Sequence, residues 1–400
     1  MKSIKPNTSL LHLILDQFES SSKWNQDFTG NKSLRIQDDS KRSHYKEIGR
    51  EELINEAKEL ERKKLITIKW SQYNFDIELI HYSNQNIPRF YEYAERLPKY
   101  VLVNNQKEEL LLLAESLKSN SWIHSYLEAK NERISKGIEL KEEPKTTTEL
   151  YRCLKAIDDL IEPMYKRAFS KKALGNSKTF EKSYEKTILT IARKYHPAAE
   201  EEMADHEILE LLNIDSYASE LQLKGNLQLE LHGHTIDLGS FLYGTVLNHE
   251  TLKHATIPDE QHIEKLITIE NKANYMAAPY DQNTLYVFTH GYLSPLELIF
   301  LRKVKKTLKH AEYYHSGDLD FGGVSIYRYI KQSLFPELQP FHMEAGLLDE
   351  YKDLSEELKP LTRKKLIQFY EKEKESLPEL KELVEYMIET NRVLEQEAFL

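Results

Sequence analysis

Cysteine is almost missing from this chain: Cys153 is the only one in 400 residues. A single thiol excludes an internal disulfide and any cysteine-built zinc cage, and it suits a reducing compartment. Its place in a helical stretch points to a small buried side chain. Long apolar runs are missing too. No stretch approaches the ~18–20 uninterrupted apolar residues that a membrane helix needs, and the first residues lack a basic segment followed by an apolar core and a small-residue cleavage site. Membrane and secreted readings are therefore set aside, and a cytoplasmic protein is expected. Neither an internal repeat nor a low-complexity tract is present, so a solenoid is not expected either.

What is present is a soluble, globular composition, 40% apolar and 30% charged, in a chain long enough for two or three domains. Net charge is −10, which by itself argues against a nucleic-acid partner because phosphate backbones recruit Lys and Arg. The distribution softens that argument. Residues 1–180 carry 31 Lys+Arg against 27 Asp+Glu, whereas the rest carries 24 against 38. An acidic second half either repels polyanions or contains carboxylates that hold cations and invert the local potential.

Apolar spacing predicts a helix from Ser9 to Glu19, a polar loop from Ser20 to Ser43, a second helix over 50–65, and a hairpin from ITIKW and FDIELI around Tyr73 and Asn74. Helix, helix, hairpin is the order of a winged helix or of another small α+β cap. Beyond Pro88 the pattern is helical, near 89–97, 106–118, 121–135, 147–169 and 178–195, with the charged run 130–145 as a solvated turn. Shorter elements follow over 206–260: a helix in EILELLNI, then LQLKGNLQLEL and HTIDLGSF around His232 and Gly233.

The last part is the most regular. EKLITI (264–269) runs into Glu270, and TLYVFTHG (284–291) is a second apolar strand. Ser294 and Glu297 form a capping box for the helix SPLELIFLRKVKKTLKH. The strand EYYHSGDLD, the helix GGVSIYRYIKQSL and a strand in PFHME come next, then helices over 361–375 and 378–397. Alternating strands and helices imply a parallel sheet covered on both faces.

Ligands bind such sheets beyond the carboxyl ends of the strands, where three carboxylates fall. Glu270 ends the first strand; Asp318 and Asp320 end the third, spaced to project to one side while Leu319 turns inward. Gly317, Gly322 and Gly323 flank the pair and allow sharp turns and close backbone approach. An oxygen-only cluster suits Mg²⁺ or Mn²⁺, and three like charges so close need a cation. Such a metal activates water and neutralises a scissile phosphate. The same residues equally suit an Asp-rich helix cap beside an exposed strand end. His290 and His315 also lie near strand ends, where they suit the core or surface better than a catalytic base.

The order of strand, IEN, strand ending in THG, helix, GDLDFGG and helix resembles a Toprim domain, the metal-binding fold of topoisomerases, primases and some nucleases. Over 221–330, LQLKGNL, LITIENKANY, THGYLS and YYHSGDLDFGGVSIYRYI resemble the JetD family, topoisomerase VI-like nucleases of Wadjet plasmid-defence systems. LEQEAF at 394–399 is similar to that family's ending. Earlier in the chain only the broad pattern agrees, a DNA-binding N-terminal region with a helical arm.

The resemblance implies a multidomain α+β and α/β chain. A winged-helix-like domain would span 1–85, a helical arm 86–175, a CAP-like winged-helix region 176–260, and a Toprim domain with a parallel, Rossmann-like sheet 261–400. It makes Glu270 the Toprim glutamate, a metal ligand or acid/base, and Asp318 and Asp320 the metal-binding aspartates. Asn271 would support the glutamate or contact phosphate. Glu395 and Glu397 either add a carboxylate or form a solvated helix end. It also implies a homodimer on double-stranded DNA, activated by an SMC-type motor complex.

Relatives among the topoisomerases cut DNA with a tyrosine, yet 176–260 has no Arg-Asp-x-Tyr-Tyr pattern, and Tyr184, Tyr195, Tyr217 and Tyr243 stand in ordinary contexts. Hydrolysis of DNA by metal-activated water is therefore expected. The alternatives are a non-catalytic module that binds DNA or a partner, and a topoisomerase-like transesterase.

Overall fold

Ser9 opens the first helix by accepting the His12 N–H, and Leu10, Leu11, Ile14, Leu15 and Phe18 bury one face of α1 (Leu10–Ser20). The computed structural model describes residues 9–21, 24, 28–36, 44–71, 76–137, 144–215 and 220–399. The chain forms two compact units, residues 1–116 with 124–147, and residues 117–123 with 148–400.

In the first unit α1 is followed by β1 (Asn31–Arg35), α2 (His44–Ile48), α3 (Arg50–Arg62), β2 (Ile66–Trp70) and β3 (Ile77–Ser83). The expected helices and hairpin strands are present; the turn residues Tyr73 and Asn74 lie outside the described residues. One correction falls between them. Residues 31–35, expected as loop, pair antiparallel with β3 and complete the sheet order β1-β3-β2. Only Leu34 of β1 is buried, so the strand has no apolar alternation to betray it; its order comes from the free edge of β3. The helices α4 (Ile87–Tyr93), α5 (Lys99–Ser116) and α6 (Ile123–Ser135) follow, and 138–143, toward the end of the charged run 130–145, lie outside the described residues.

The next helix, α7 (Pro144–Asp159), carries Cys153 fully buried, where burial pushes the thiol up to about 12 and leaves it inert. The helix expected over 147–169 breaks here, because Pro163 cannot continue it, and β4 (Met164–Tyr165) intervenes before α8 (Lys166–Leu174). Then come α9 (Glu185–Tyr195), α10 (Asp205–Leu211) and β5 (Ile214–Asp215). The segment to residue 260 adds β6 (Glu220–Lys224), the hairpin β7 (Gln228–Leu231) and β8 (His234–Asp237), β9 (Thr245–Asn248) and α11 (His249–His254). His232 and Gly233 turn that hairpin with positive φ, 50° and 79°.

The regular part reads β10 (Lys265–Ile269), α12 (Lys272–Ala277), β11 (Thr284–Phe288), α13 (Pro295–Thr307), β12 (Glu312–Ser316), α14 (Phe321–Ser333) and β13 (Gln339–Pro340). The capping box of Ser294 and Glu297 is formed as expected. The sheet has six strands in the order β13-β12-β10-β11-β6-β9. The first four are parallel, whereas β6 and β9 join antiparallel. The all-parallel expectation is thus corrected to a mixed sheet: β6 and β9, from before residue 261, cover the β11 edge. The strand expected in PFHME is only Gln339–Pro340, since His342 takes φ 54° and turns the chain away. Ile267, Ile269, Tyr275 and Tyr286 pack one face of the sheet under α12, and Leu266, Leu285 and Val287 are fully buried on the other.

After α15 (Gly346–Glu350), β14 (Glu356–Glu357) and α16 (Pro360–Glu373), the last helix, α17 (Lys381–Thr390), is shorter than the 378–397 expected. Asn391 takes the left-handed conformation, φ 57° and ψ 39°, and ends it. The chain reverses into β15 (Arg392–Val393) against β14, and Leu394 pairs with Leu319. No described helix is long and apolar enough to cross a membrane.

Candidate metal centre

Glu270 follows the last residue of β10, and its N–H donates to the Ser316 carbonyl at the end of β12, 3.0 Å away. Its Oε2 accepts the Asp318 N–H at 3.4 Å. A Cβ on Gly317 would come within 2.6 Å of that oxygen, so glycine leaves the space the carboxylate fills. Asp320 is the N-cap of α14: its Oδ1 accepts the Gly323 N–H at 2.8 Å, where the helix end favours a negative charge. A Cβ on Gly323 would lie 2.0 Å from the Asp318 carbonyl, which makes this the closest backbone approach in the loop. Gly322 only borders the Asp320 carboxylate, 3.2 Å from its would-be Cβ.

Strand β12 ends at Ser316, so the aspartates sit in the loop beyond it. Leu319 still turns inward, held by two backbone bonds to Leu394 of 2.8 and 3.1 Å. That clasp brings the chain end to the centre. The Gln396 N–H donates to Asp318 Oδ1 at 2.7 Å, while its buried side chain bridges the Asn271 N–H at 3.1 Å and Ser316 Oγ at 2.6 Å. One carboxylate oxygen from each of Asp318, Glu395 and Glu397 lies within 4.8 Å of the others.

The charges register this crowding. Burial, then Asp318 and Asp320, pushes Glu270 up to about 8. Burial, then Glu395, Asp320 and Glu397, pushes Asp318 up to about 7 against the Gln396 N–H that favours its ionised form. Asp320 and Glu395 are raised as well, in both cases chiefly by burial. Carboxylates in this arrangement are poorly compensated without a cation, and an oxygen-only donor set fits a hard divalent ion. Such an ion, when bound, supplies charge for a phosphate oxygen and a water of lowered pKa.

The other candidates lie apart from this cluster or do other work. Asn271 caps α12, its Oδ1 accepting the Ala273 and Asn274 N–H groups at 2.8 and 3.2 Å. His290, with φ 48°, pairs with the buried Glu297 at 3.1 Å; burial opposes its charge, but Glu297, Glu210 and Glu207 together outweigh that and its pKa is raised. His315 is fully buried beneath the centre, with Nδ1 2.9 Å from Thr268 Oγ1 and burial driving its pKa down to about 3, so the ring is neutral. Of the tyrosines, Tyr184 is buried with its hydroxyl bonded to Glu149, Tyr243 is exposed, and Tyr217 is outside the described residues. No local pattern singles out Gln396, whose role depends on the unforeseen turn at Asn391.

Fold and site together define a mixed α/β protein with an acidic, oxygen-lined centre at the carboxyl ends of adjacent parallel strands. Residues 226–400 match the family model described as "Wadjet protein JetD, C-terminal". The chain is 31% identical over 368 residues to Wadjet protein JetD of Bacillus cereus (strain Q1), covering 86% of this chain and 85% of that one. It belongs to the JetD family.

Proposed function

We propose that this chain is a Toprim-type, metal-dependent endonuclease that hydrolyses double-stranded DNA, closed circular plasmid in particular, in Wadjet defence. The observation that carries the reading is the convergence of Glu270, Asp318 and Asp320 with Glu395 and Glu397 at the carboxyl ends of β10 and β12. Asp318, Glu395 and Glu397 hold Mg²⁺ or Mn²⁺, joined by Asp320. Glu270, pushed up to about 8, is ligand or proton carrier; a group poised near neutrality suits acid–base work. Gly317 and Gly323 keep the loop close enough for this, and Gln396 fixes Asp318.

Family membership and element order support the rest of the proposed architecture. Residues 1–85 form a winged-helix-like domain, 86–175 an arm and 176–260 a CAP-like region, with 261–400 as the Toprim domain, whose sheet takes β6 and β9 from the CAP-like region. The protein acts in the cytoplasm as a homodimer, with DNA delivered by an SMC-type motor complex. A net charge of −10 accords with weak binding of free DNA.

The test is incubation of the purified protein with closed circular plasmid and Mn²⁺, with and without the motor complex, beside Glu270→Ala and Asp320→Ala. Linearisation by the parent and its loss in both folded variants is the expected result. Cleavage that survives both substitutions would place the chemistry elsewhere. A DNA end left covalently on the protein would favour transesterification instead.

A further inference from the structure

A cavity of about 560 Å³ opens between α14, α16 and the loop from α9 to α10. It is lined by Glu200, Glu201 and Glu202 of the loop and by Arg328 and Lys365 of the helices. Phe321, Ser325, Arg328 and Gln332 all line it and recur at helical spacing, so one face of α14 forms a wall. That helix starts from Asp320, which places Arg328 about 12 Å along the axis from the carboxylate centre. Glu202 is near enough to Asp320 to act on its charge.

The cations are already taken. Arg328 pairs with Glu200, and with Glu373 at 3.2 Å, while its guanidinium lies 5.3 Å above the Phe369 ring. Lys365 Nζ is 2.6 Å from Glu202 and 3.2 Å from Glu201. Yet two donors in the same place have no hydrogen-bond partner among the described residues: Arg328 Nε and the hydroxyl of Tyr292, a residue 3% exposed that lines the cavity. A settled structural network satisfies its buried donors. This one satisfies them in part, with three consecutive carboxylates on a connecting loop. Carboxylate and phosphate oxygens engage Arg and Lys alike. The loop can yield locally, because Glu201 and Glu202 are exposed, whereas Met203 beyond them is buried and its carbonyl is held by Arg193 Nη1 at 2.6 Å.

We infer that Glu200–Glu202 is an acidic strap occupying a DNA-phosphate site made by Arg328, Lys365 and the Tyr292 hydroxyl, and that DNA entering the carboxylate centre displaces it. The inference rests on DNA being the substrate. It extends the proposed site by a backbone-binding surface and gives the chain its own brake on binding free DNA.

Equilibrium binding in EDTA tests this without any cleavage. Anisotropy of a short fluorescein-labelled duplex is followed over a salt series for the full chain and for E200Q/E201Q/E202Q. A control, E250Q/E260Q/E264Q, makes the same change of net charge at exposed positions elsewhere. The strap variant is expected to bind about tenfold tighter than the control, with a log–log salt slope steeper by about 1, as Lys365 loses both of its partners and meets a phosphate while Arg328 keeps Glu373. Adding Lys365→Gln should cancel most of that gain. If the triple variant unfolds at a lower temperature, E201Q/E202Q leaves the Arg328 pairs intact and should still give the Lys365 share. Equal affinities for strap and control variants would overturn the strap while leaving DNA binding in place. No binding by any of them at low salt, the strap variant included, would overturn the phosphate site, while the cleavage test with the motor complex present would still decide the DNA reading.

Discussion

Gly317 and Gly323 differ in what an added methyl would strike, and this separates packing from chemistry at single residues. At Gly323 the obstacle is the Asp318 backbone, at 2.0 Å, which has no way to move without opening the loop. Gly323→Ala should therefore cost about 3 kcal/mol or more, read by thermal unfolding, and abolish Mn²⁺ binding with it. At Gly317 the obstacles are side chains and not backbone, the end of Glu270 at 2.6 Å and the buried His315 Nε2 at 2.9 Å. Gly317→Ala should leave the melting temperature less affected and act on Mn²⁺ binding, followed by calorimetry. The raised carboxyl groups make a second prediction. An acid whose pKa is higher folded than unfolded stabilises the fold below its unfolded pKa, and this stability is lost as pH rises through the folded value. For Glu270 the window runs from 4.5 to about 8. In EDTA the protein should lose stability across that range, Mn²⁺ should restore it, and Glu270→Gln should flatten the profile. A Glu270→Gln profile as steep as the parent's would place the titration on other groups.

At the scale of elements, the centre depends on how α17 ends. Asn391 in the left-handed region sends the chain back along β14, and Gln396 then ties Asp318, Asn271 and Ser316 together. Asn391→Gly should be neutral, whereas Asn391→Val should cost about 1–2 kcal/mol, because a side chain branched at Cβ resists this conformation. Gln396→Ala leaves the half-buried Asn271 N–H and the buried Ser316 hydroxyl without this partner, so a loss of about 2 kcal/mol is expected. Weaker Mn²⁺ binding should accompany it. The same region shows what a sequence can and cannot disclose. β10, β11 and α13 were legible because an unbroken apolar run, or a capping box, is a local signal. The break at Asn391 was not, since KELVEYMIETNRVLEQ keeps helical spacing across it and only the Leu319–Leu394 pairing, 75 residues apart in sequence, selects the turn. Thus Glu270, Asp318 and Asp320 could be found from strand ends, while the reason Glu395 and Glu397 join Asp318 could not. Strand β1 escaped for a like reason, being ordered by β3 and not by its own residues.

For the whole molecule, the division into two units states which residues the centre needs. Every carboxylate in it, and every backbone group that holds them, lies within 148–400; Leu117 and Ile123, both buried, complete that unit. A chain lacking residues 1–116 keeps all of these. A ligand that binds only the folded state raises stability in proportion to the logarithm of its concentration over Kd, so the Mn²⁺-dependent rise in melting temperature measures the centre apart from any reaction. The shortened chain is expected to show the same rise as the full chain at equal Mn²⁺, and to fail in plasmid cleavage with the motor complex present, because the missing residues carry the proposed winged-helix-like domain and the start of the arm. An equal rise with cleavage retained would leave those residues without a part in the reaction. A rise lost on shortening would mean that the centre takes its shape from both units, since no metal-holding residue was removed.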